Sequence, residues 1–254
     1  MPEYSLREMM ILVAAREIRD GDIVFCGTGM SMIAAMAAKH INAPHSIIFF
    51  ETGGIDSQLL ELPFSVGDPR VMVGTSINAG LAESFGILQN PFTGPKVVGI
   101  FGAAQIDRYG NLNTTCIGDY WRPKARFPGC GGACDAASYA GRTIIFMKQE
   151  KRKFVERVDY LSTPGWIVGP GGREEAGLPD GGPTMVITDM GMMRFDDESK
   201  QMYLSRTYPG IRPQQVQEQM EIEIDLSRAV EETPPTKEEL ALLRERIDPQ
   251  RLII

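Results

Sequence analysis

No apolar run in the 254-residue chain approaches the roughly 20 residues that a membrane-spanning helix needs. The opening MPEYSLREMM carries acids where a secretory leader would have a basic start followed by an apolar stretch. A cytoplasmic protein with no membrane partner is expected. Cysteine is scarce. Cys26, Cys116, Cys130 and Cys134 are too few and too scattered for a disulfide framework, and Cys130 and Cys134 miss the CxxC spacing. Two histidines, His40 and His45, leave a zinc site without its usual ligands, so no metal is expected. Basic charge is also short. A formal net charge of -7 lacks the footprint of a nucleic-acid binder. Neither a G-x-S-x-G elbow nor a P-loop occurs.

What is present is ordinary for a globular protein: hydrophobic residues make up 43% and charged residues 23%. Ser5 and Glu8 form an S-x-x-E capping box ahead of a helix expected to run to about Arg19, with Leu6, Met9, Met10 and Val13 at helical spacing. Ile23-Val24-Phe25 reads as a buried strand, Gly27-Thr28-Gly29 as a tight turn, and Met30 to His40 as a second helix. Ser46 to Phe50 reads as another buried strand, ending at Glu51. Further strands are expected at Val97–Phe101, Thr143–Met147, Val186–Thr188 and Gln201–Leu204. Pro164 to Pro183, rich in glycine and proline, predicts a long loop. Thr236 and Glu239 repeat the capping box before a C-terminal helix that stops short of Pro249. Alternating strands and helices with continuous apolar strands predict an α/β fold, an open, largely parallel sheet covered by helices. No composition break divides the chain, so residues 1–254 are expected to form a single domain.

Glu51 stands out on pattern alone. A carboxylate at the carboxyl end of a parallel strand lies where open α/β sheets bind ligands. The following Gly53 and Gly54 would let a ligand approach the backbone. The same pattern is met by a carboxylate that simply leaves the sheet for solvent. Gly129-Cys130-Gly131-Gly132-Ala133-Cys134-Asp135 could turn successive amides into one concavity that holds an oxyanion or phosphate, and it could equally be a flexible loop. Gly27-x-Gly29 between a strand and a helix, with Glu51 ending the next strand, is part of a dinucleotide-binding fingerprint. Its third glycine position is Met32, so nicotinamide binding is the weaker reading. Gly169-Pro170-Gly171-Gly172 reads as a turn. Lys148 to Lys153 reads as a solvated basic face, and Trp121 and Trp166 as core or interface residues.

Three segments in order resemble the class I coenzyme A transferases. Glu51-Thr52-Gly53-Gly54 stands where that family carries a catalytic glutamate before a turn. Gly102-Ala103-Ala104-Gln105-Ile106-Asp107-Arg108-Tyr109-Gly110-Asn111-Leu112-Asn113 is similar to its GAxQxDxxGNxN stretch, and Gly129 to Asp135 looks like its GxGGAxD loop. Ile117-Gly118-Asp119-Tyr120, Ser162 to Trp166, Gly169 to Glu174 and Ile247-Asp248-Pro249 extend the resemblance over nearly the whole chain, toward the B-type subunits of the glutaconate branch. Thr52-Gly53-Gly54 departs from the Ser-Gly-Leu and Ser-Glu-Asn-Gly turns of that family, a difference that bears on the acyl group accepted.

The resemblance implies a CoA-transferase-like, Rossmann-related fold and a glutamate-bearing subunit that moves coenzyme A between an acyl-CoA and a carboxylic acid, among them a dicarboxylate such as glutaconate. It implies covalent catalysis through Glu51 as nucleophile and a glutamyl-CoA thioester. Amides near Gly131, Gly132 and Ala133 would stabilise oxyanions, with Gly53 and Gly54 in the pocket turn. No permanently bound cofactor is implied, since the coenzyme A thioester is substrate, and a basic side chain between Lys148 and Lys153 could meet its phosphate. An A-type subunit is the implied partner, because the chain carries one half of the family's pattern. Acyl-CoA hydrolases, ring-cleaving hydrolases and a decarboxylase share the scaffold and are the alternative.

Overall fold

The structure, a computed structural model, describes residues 3–254. The chain folds as two compact units. One ends at Phe101 and is completed by Pro234–Ile254; the other is Gly102–Thr233.

The first unit opens with α1 (Leu6–Glu17), β1 (Ile23–Cys26), α2 (Met30–Ile41), β2 (Ile47–Phe49), β3 (Gly54–Ile55), β4 (Ile77–Asn78), α3 (Leu81–Gln89) and β5 (Val97–Gly102). The predicted capping box forms. The Glu8 amide donates to Ser5 Oγ at 3.2 Å and the Ser5 amide to Glu8 Oε2 at 2.7 Å, which satisfies donors that a helix start leaves open. Met9 to Ala15 are all buried, so α1 is an internal helix. β1 pairs in parallel with β2 on one side and β5 on the other, Ile23 standing level with Ile47 and Val97. The short β3 and β4 extend this set antiparallel beyond β2.

At the C-terminal end, Thr236 caps the helix Lys237–Ala241 with Glu239 in a second box, as the pattern predicts, and the chain runs on as a π-helical turn over Leu242–Ile247. This segment is tied to α1 by Arg16 Nε donating to Glu239 Oε1 at 2.9 Å and Arg244 Nη2 donating to Glu8 Oε2 at 2.9 Å. Burial would raise the Glu8 pKa, but the hydrogen bonds from Arg244 and Ser5 outweigh it and hold the carboxyl below its ordinary value.

The second unit contains β6 (Gln105–Ile106), β7 (Leu112–Asn113), β8 (Cys116–Ile117), β9 (Ala125–Arg126), α4 (Ala133–Tyr139), β10 (Arg142–Phe146), α5 (Gly172–Glu175), β11 (Pro183–Ile187), β12 (Gly191–Phe195), β13 (Met202–Thr207), α6 (Pro213–Gln217) and β14 (Val230–Glu231). Strand order is β10-β11-β12-β13-β14, with β10–β11 and β13–β14 parallel and the two pairs between them antiparallel. β6–β7 and β8–β9 are small separate hairpins.

The fold is therefore α/β, with parallel pairing through the continuous apolar strands the sequence marks and antiparallel pairing where tight turns follow. β12 is a strand that the pattern does not announce, because Gly191-Met192-Met193-Arg194-Phe195 carries no alternation that separates it from the turn before it. The predicted Pro164–Pro183 loop is present and holds only the single turn of α5.

Candidate active site

In the first unit, β2 ends at Phe49 and the chain turns at once. The Gly53 amide donates to Phe50 O at 3.0 Å, which makes Glu51 the second residue of a four-residue turn at the carboxyl end of a parallel strand. Neighbouring backbone holds the turn on several sides. Ser84 Oγ donates to Phe50 O at 2.7 Å, Thr52 Oγ1 to Val66 O at 2.9 Å, and the Ala79 amide to Gly53 O at 2.9 Å. Gly53 has φ of 103°, a backbone state that L side chains rarely adopt, and a Cβ there would stand 1.9 Å from Ala79 O. Gly54 is also constrained, since its Cβ would stand 2.8 Å from Val71 O. The two glycines thus serve the close packing of the turn against the 71–79 segment. Glu51 itself is half-buried, and no hydrogen bond or ion pair engages its carboxylate among the described residues. After it, the segment 60–92 carries Leu60, Phe64, Val73, Ile77, Leu81 and Phe92 exposed, Phe92 at 82%.

The second unit holds the other glycine-rich motif. Gly129 and Gly131 both have positive φ, 100° and 52°, while Gly132 is right-handed at -74° and caps α4. Such a left-to-right alternation turns successive amides toward one concavity. The Ala133 amide is already bonded to Cys130 O at 3.0 Å, closing the turn. Those of Gly131 and Gly132 have no acceptor among the described residues. α4 is held from below by Arg173, which is 5% exposed. Its guanidinium donates to Ala137 O at 3.2 Å, Ser138 O at 2.8 Å and Gly165 O at 3.1 Å, and burial lowers its pKa. In the sequence Arg173 stands only within the Gly169 to Glu174 stretch that resembles the family, just past the glycine turn; nothing local distinguishes an arginine that will be buried on carbonyls.

The GAxQxDxxGNxN residues form a closed polar network in this unit. Asp107 Oδ1 accepts from the amides of Tyr109 and Asn111, and Asn111 Nδ2 donates to Asp107 Oδ2 at 2.8 Å. Asn111 Oδ1 accepts from the amides of Gly165 and Ile167, and Asn113 Nδ2 donates to Gln105 Oε1 and Cys116 O, both at 2.7 Å. Gly110 must be glycine: at φ of 73° its Cβ would meet Pro183 Cγ at 2.7 Å. These side chains are committed to holding the loops. Two of the four thiols, Cys26 and Cys134, are held toward the protonated, less nucleophilic form. Burial pushes Cys26 up to about 12, and burial together with nearby Cys130 and Asp135 raises Cys134. Met32, at the third position of the dinucleotide pattern, is fully buried and fills the space a glycine would leave for close helix–strand approach. Trp166 packs inward with Nε1 donating to Pro183 O at 3.0 Å, whereas Trp121 is surface-exposed beside Tyr120. Among the described residues no helix is long and apolar enough to cross a membrane.

The family model described as coenzyme A transferase matches residues 7–219. The chain belongs to the coenzyme A transferase family. Within that family it is 42% identical over 264 aligned residues to the B-type subunit of glutaconate CoA-transferase from Acidaminococcus fermentans, an alignment that covers 99% of this chain and 95% of that protein. The solved structure of that transferase superposes with a TM-score of 0.96 over 99% of this chain and 98% of that one. The chain is 37% identical to the B-type subunit of 3-oxoadipate CoA-transferase from Pseudomonas knackmussii, over 96% of this chain and 94% of that protein. It is 30% identical to a cholesterol ring-cleaving hydrolase subunit of Mycobacterium bovis, over 98% and 97%. As a coenzyme A transferase it is an enzyme whose family uses coenzyme A thioesters as substrates.

Proposed function

We propose that this chain is the glutamate-bearing subunit of a transferase that moves coenzyme A between an acyl-CoA and a carboxylic acid, with a dicarboxylate of the glutaconate kind among its acids and Glu51 as the nucleophile. The observation that carries the reading is the Glu51 turn: an unpaired carboxylate at the carboxyl end of a parallel strand, held by backbone contacts that only Gly53 permits.

A transferase must move the thioester without losing it to water, and a carboxylate can do so because it resembles the acids it serves. One Glu51 oxygen attacks the thioester carbonyl carbon. The carbon–sulfur bond breaks and coenzyme A leaves as thiolate, giving a mixed anhydride. The thiolate then attacks the Glu51 acyl carbon, the carbon–oxygen bond breaks, and the donor acid departs as carboxylate, leaving a glutamyl-CoA thioester. An acceptor carboxylate reverses both steps. Each addition develops charge on an oxygen, and one well-aimed amide donor is worth about 10²–10³ in rate. That role falls to the open amides of Gly131 and Gly132, with Ala133 closing their turn. The names of the B-type relatives and the exposed apolar side chains of segment 60–92 together support a partner of A type docking on the first unit. Such a partner would also shield the intermediates from water.

Glu51→Gln decides the matter. The amide keeps the shape and cannot form the anhydride, so acyl transfer falls to background while the fold persists. Borohydride reduction of enzyme incubated with acyl-CoA and no acceptor should label the Glu51 peptide. Normal transfer by the variant, or label confined to another residue, would reject the assignment. The hydrolase relative motivates a second reading, and product analysis separates the two: hydrolysis releases free coenzyme A in step with turnover, whereas transfer conserves the thioester.

A further inference from the structure

The glycine-rich loop carries two thiols that the transfer chemistry leaves unused. Cys26 and Cys116 are buried within the fold, whereas Cys130 and Cys134 are half-buried and reach the surface. The Ala133 amide donates to Cys130 O at 3.0 Å and closes a turn over 130–133, which holds the α-carbons of its ends within about 7 Å. Cys134 follows at once, in the first turn of α4. Its thiol has two side chains at hydrogen-bonding range, Ser138 one turn on and Cys130 across the loop. A disulfide spans α-carbons about 4.4–6.8 Å apart, so this pair needs only a small adjustment to close one. The backbone around Cys130 is free to make it. Gly129 and Gly131 stand on either side, both at positive φ, and nothing lies within 4 Å of the Cβ position at either.

The five-residue ring that such a bond closes contains Gly131 and Gly132. Their amides are the ones with no acceptor among the described residues. A cross-link between Cys130 and Cys134 fixes the loop and turns the two peptide planes between them away from their present aim.

We infer that Cys130 and Cys134 form a reversible dithiol–disulfide pair, oxidised by low-molecular-weight disulfides, and that the cross-link across Gly131 and Gly132 withdraws their amides and stops acyl transfer. The second half rests on the reading of those amides as oxyanion donors. The exchange balances in two steps. The Cys130 thiolate attacks one sulfur of the small disulfide, whose sulfur–sulfur bond breaks and releases one thiolate. Cys134 then gives its proton to solvent and attacks Cys130 Sγ, the mixed disulfide breaks, and the second small thiolate leaves. Two protein thiols are oxidised and one small disulfide is reduced to two thiols. Burial, with Cys130 and Asp135 nearby, keeps the Cys134 thiol protonated, which suits it to the second step.

The test incubates the reconstituted two-subunit enzyme with glutathione disulfide and follows both mass and rate. Cleavage after Arg126 and Arg142 places both cysteines in one peptide, which should become lighter by two hydrogens and resist alkylation until dithiothreitol is added. In step with that change, kcat should fall by about tenfold or more, since a displaced oxyanion donor costs about 10²–10³, and dithiothreitol should restore it. Cys134→Ser should stop at the mixed disulfide, carrying one glutathione on Cys130. In Cys130→Ser the rates of the treated and untreated protein should agree within about twofold. A 127–142 peptide that stays reduced overturns the inference, as does a cross-linked enzyme that transfers at its untreated rate. Inactivation that persists in Cys130→Ser overturns it as well. Should the reduced enzyme transfer nothing at all, the transferase reading fails. The mass change then decides the pair by itself: a cross-link that forms and reverses supports it, and its absence refutes it.

Discussion

Replacing Gly53 by alanine loads the Glu51 turn directly. The residue has φ of 103°, where an L side chain stores about 1–3 kcal/mol of strain. The new Cβ would lie 1.9 Å from the Ala79 carbonyl oxygen and 2.8 Å from its carbon. Both are backbone atoms, so no rotamer change relieves the contact and the 50–54 turn has to separate from the 78–79 segment. That separation weakens the Ala79 amide bond to Gly53 O, now 2.9 Å, a loss of about 1 kcal/mol. Together these give about 3 kcal/mol, or a fall in Tm of about 6–12 °C at 2–4 °C per kcal/mol for a chain of this size. A shift of about 1 Å at the turn carries Glu51 with it and should lower kcat by about 10². Thermal unfolding followed by circular dichroism, with initial rates of acyl transfer on the same preparation, gives both numbers. A Gly53→Ala protein that melts within about 2 °C of the parent and transfers at the parental rate would refute the claim that this glycine sets the position of the proposed nucleophile, Glu51.

Arg173→Ala should leave the carbonyls of Ala137, Ser138 and Gly165 without their donor, destabilise the chain by about 3 kcal/mol in denaturant titration, and lower kcat through the Gly131–Gly132 turn. Arg173→Lys should recover only part of this, because one ammonium cannot reproduce the planar fork; full recovery would argue against the geometry. The folded-state pKa of Glu8 lies below its ordinary 4.5, so its contribution is complete above that value and is lost as pH falls through the folded pKa. Glu8→Gln should therefore lose stability less steeply than the parent below about pH 4.5, as read from denaturant midpoints across pH, and parallel curves would contradict the pairing. Gly86→Ala, in the exposed part of α3 with open space around its Cβ position, should stabilise by about 0.5–1 kcal/mol, and destabilisation would show that this surface tolerates no added methyl.

Much of the fold is legible locally because its signals are local. Ser5 with Glu8, and Thr236 with Glu239, specify helix starts within four residues, and both boxes form. The buried strands at Ile23, Ile47, Val97 and Thr143 announce themselves as apolar runs between turn residues, and each pairs in parallel with a neighbour. Glu51 is legible for the same reason: it ends such a run and precedes glycine. The division at Phe101 and Gly102 leaves no trace in composition, since it falls within the end of β5 and not in a linker. β12 is hidden because its pairing partners, not its pattern, make it a strand.

The candidate site separates along the same line. Sequence alone determined which residue types are available: one carboxylate at a strand end, a glycine-rich turn at Gly129–Asp135, and a basic run at Lys148–Lys153. Tertiary structure decided which of their atoms are free. Gly53 owes its necessity to Ala79, 26 residues on. Arg173 becomes an anchor only because the Ala137 and Ser138 carbonyls reach it. Glu150 is paired with Lys148 and Arg152, while Lys153 acts on it through its charge alone. Hydrogen-bonding capacity is a property of a residue, but whether a donor or acceptor remains unused depends on partners that distant parts of the chain supply, and only the folded molecule settles that competition.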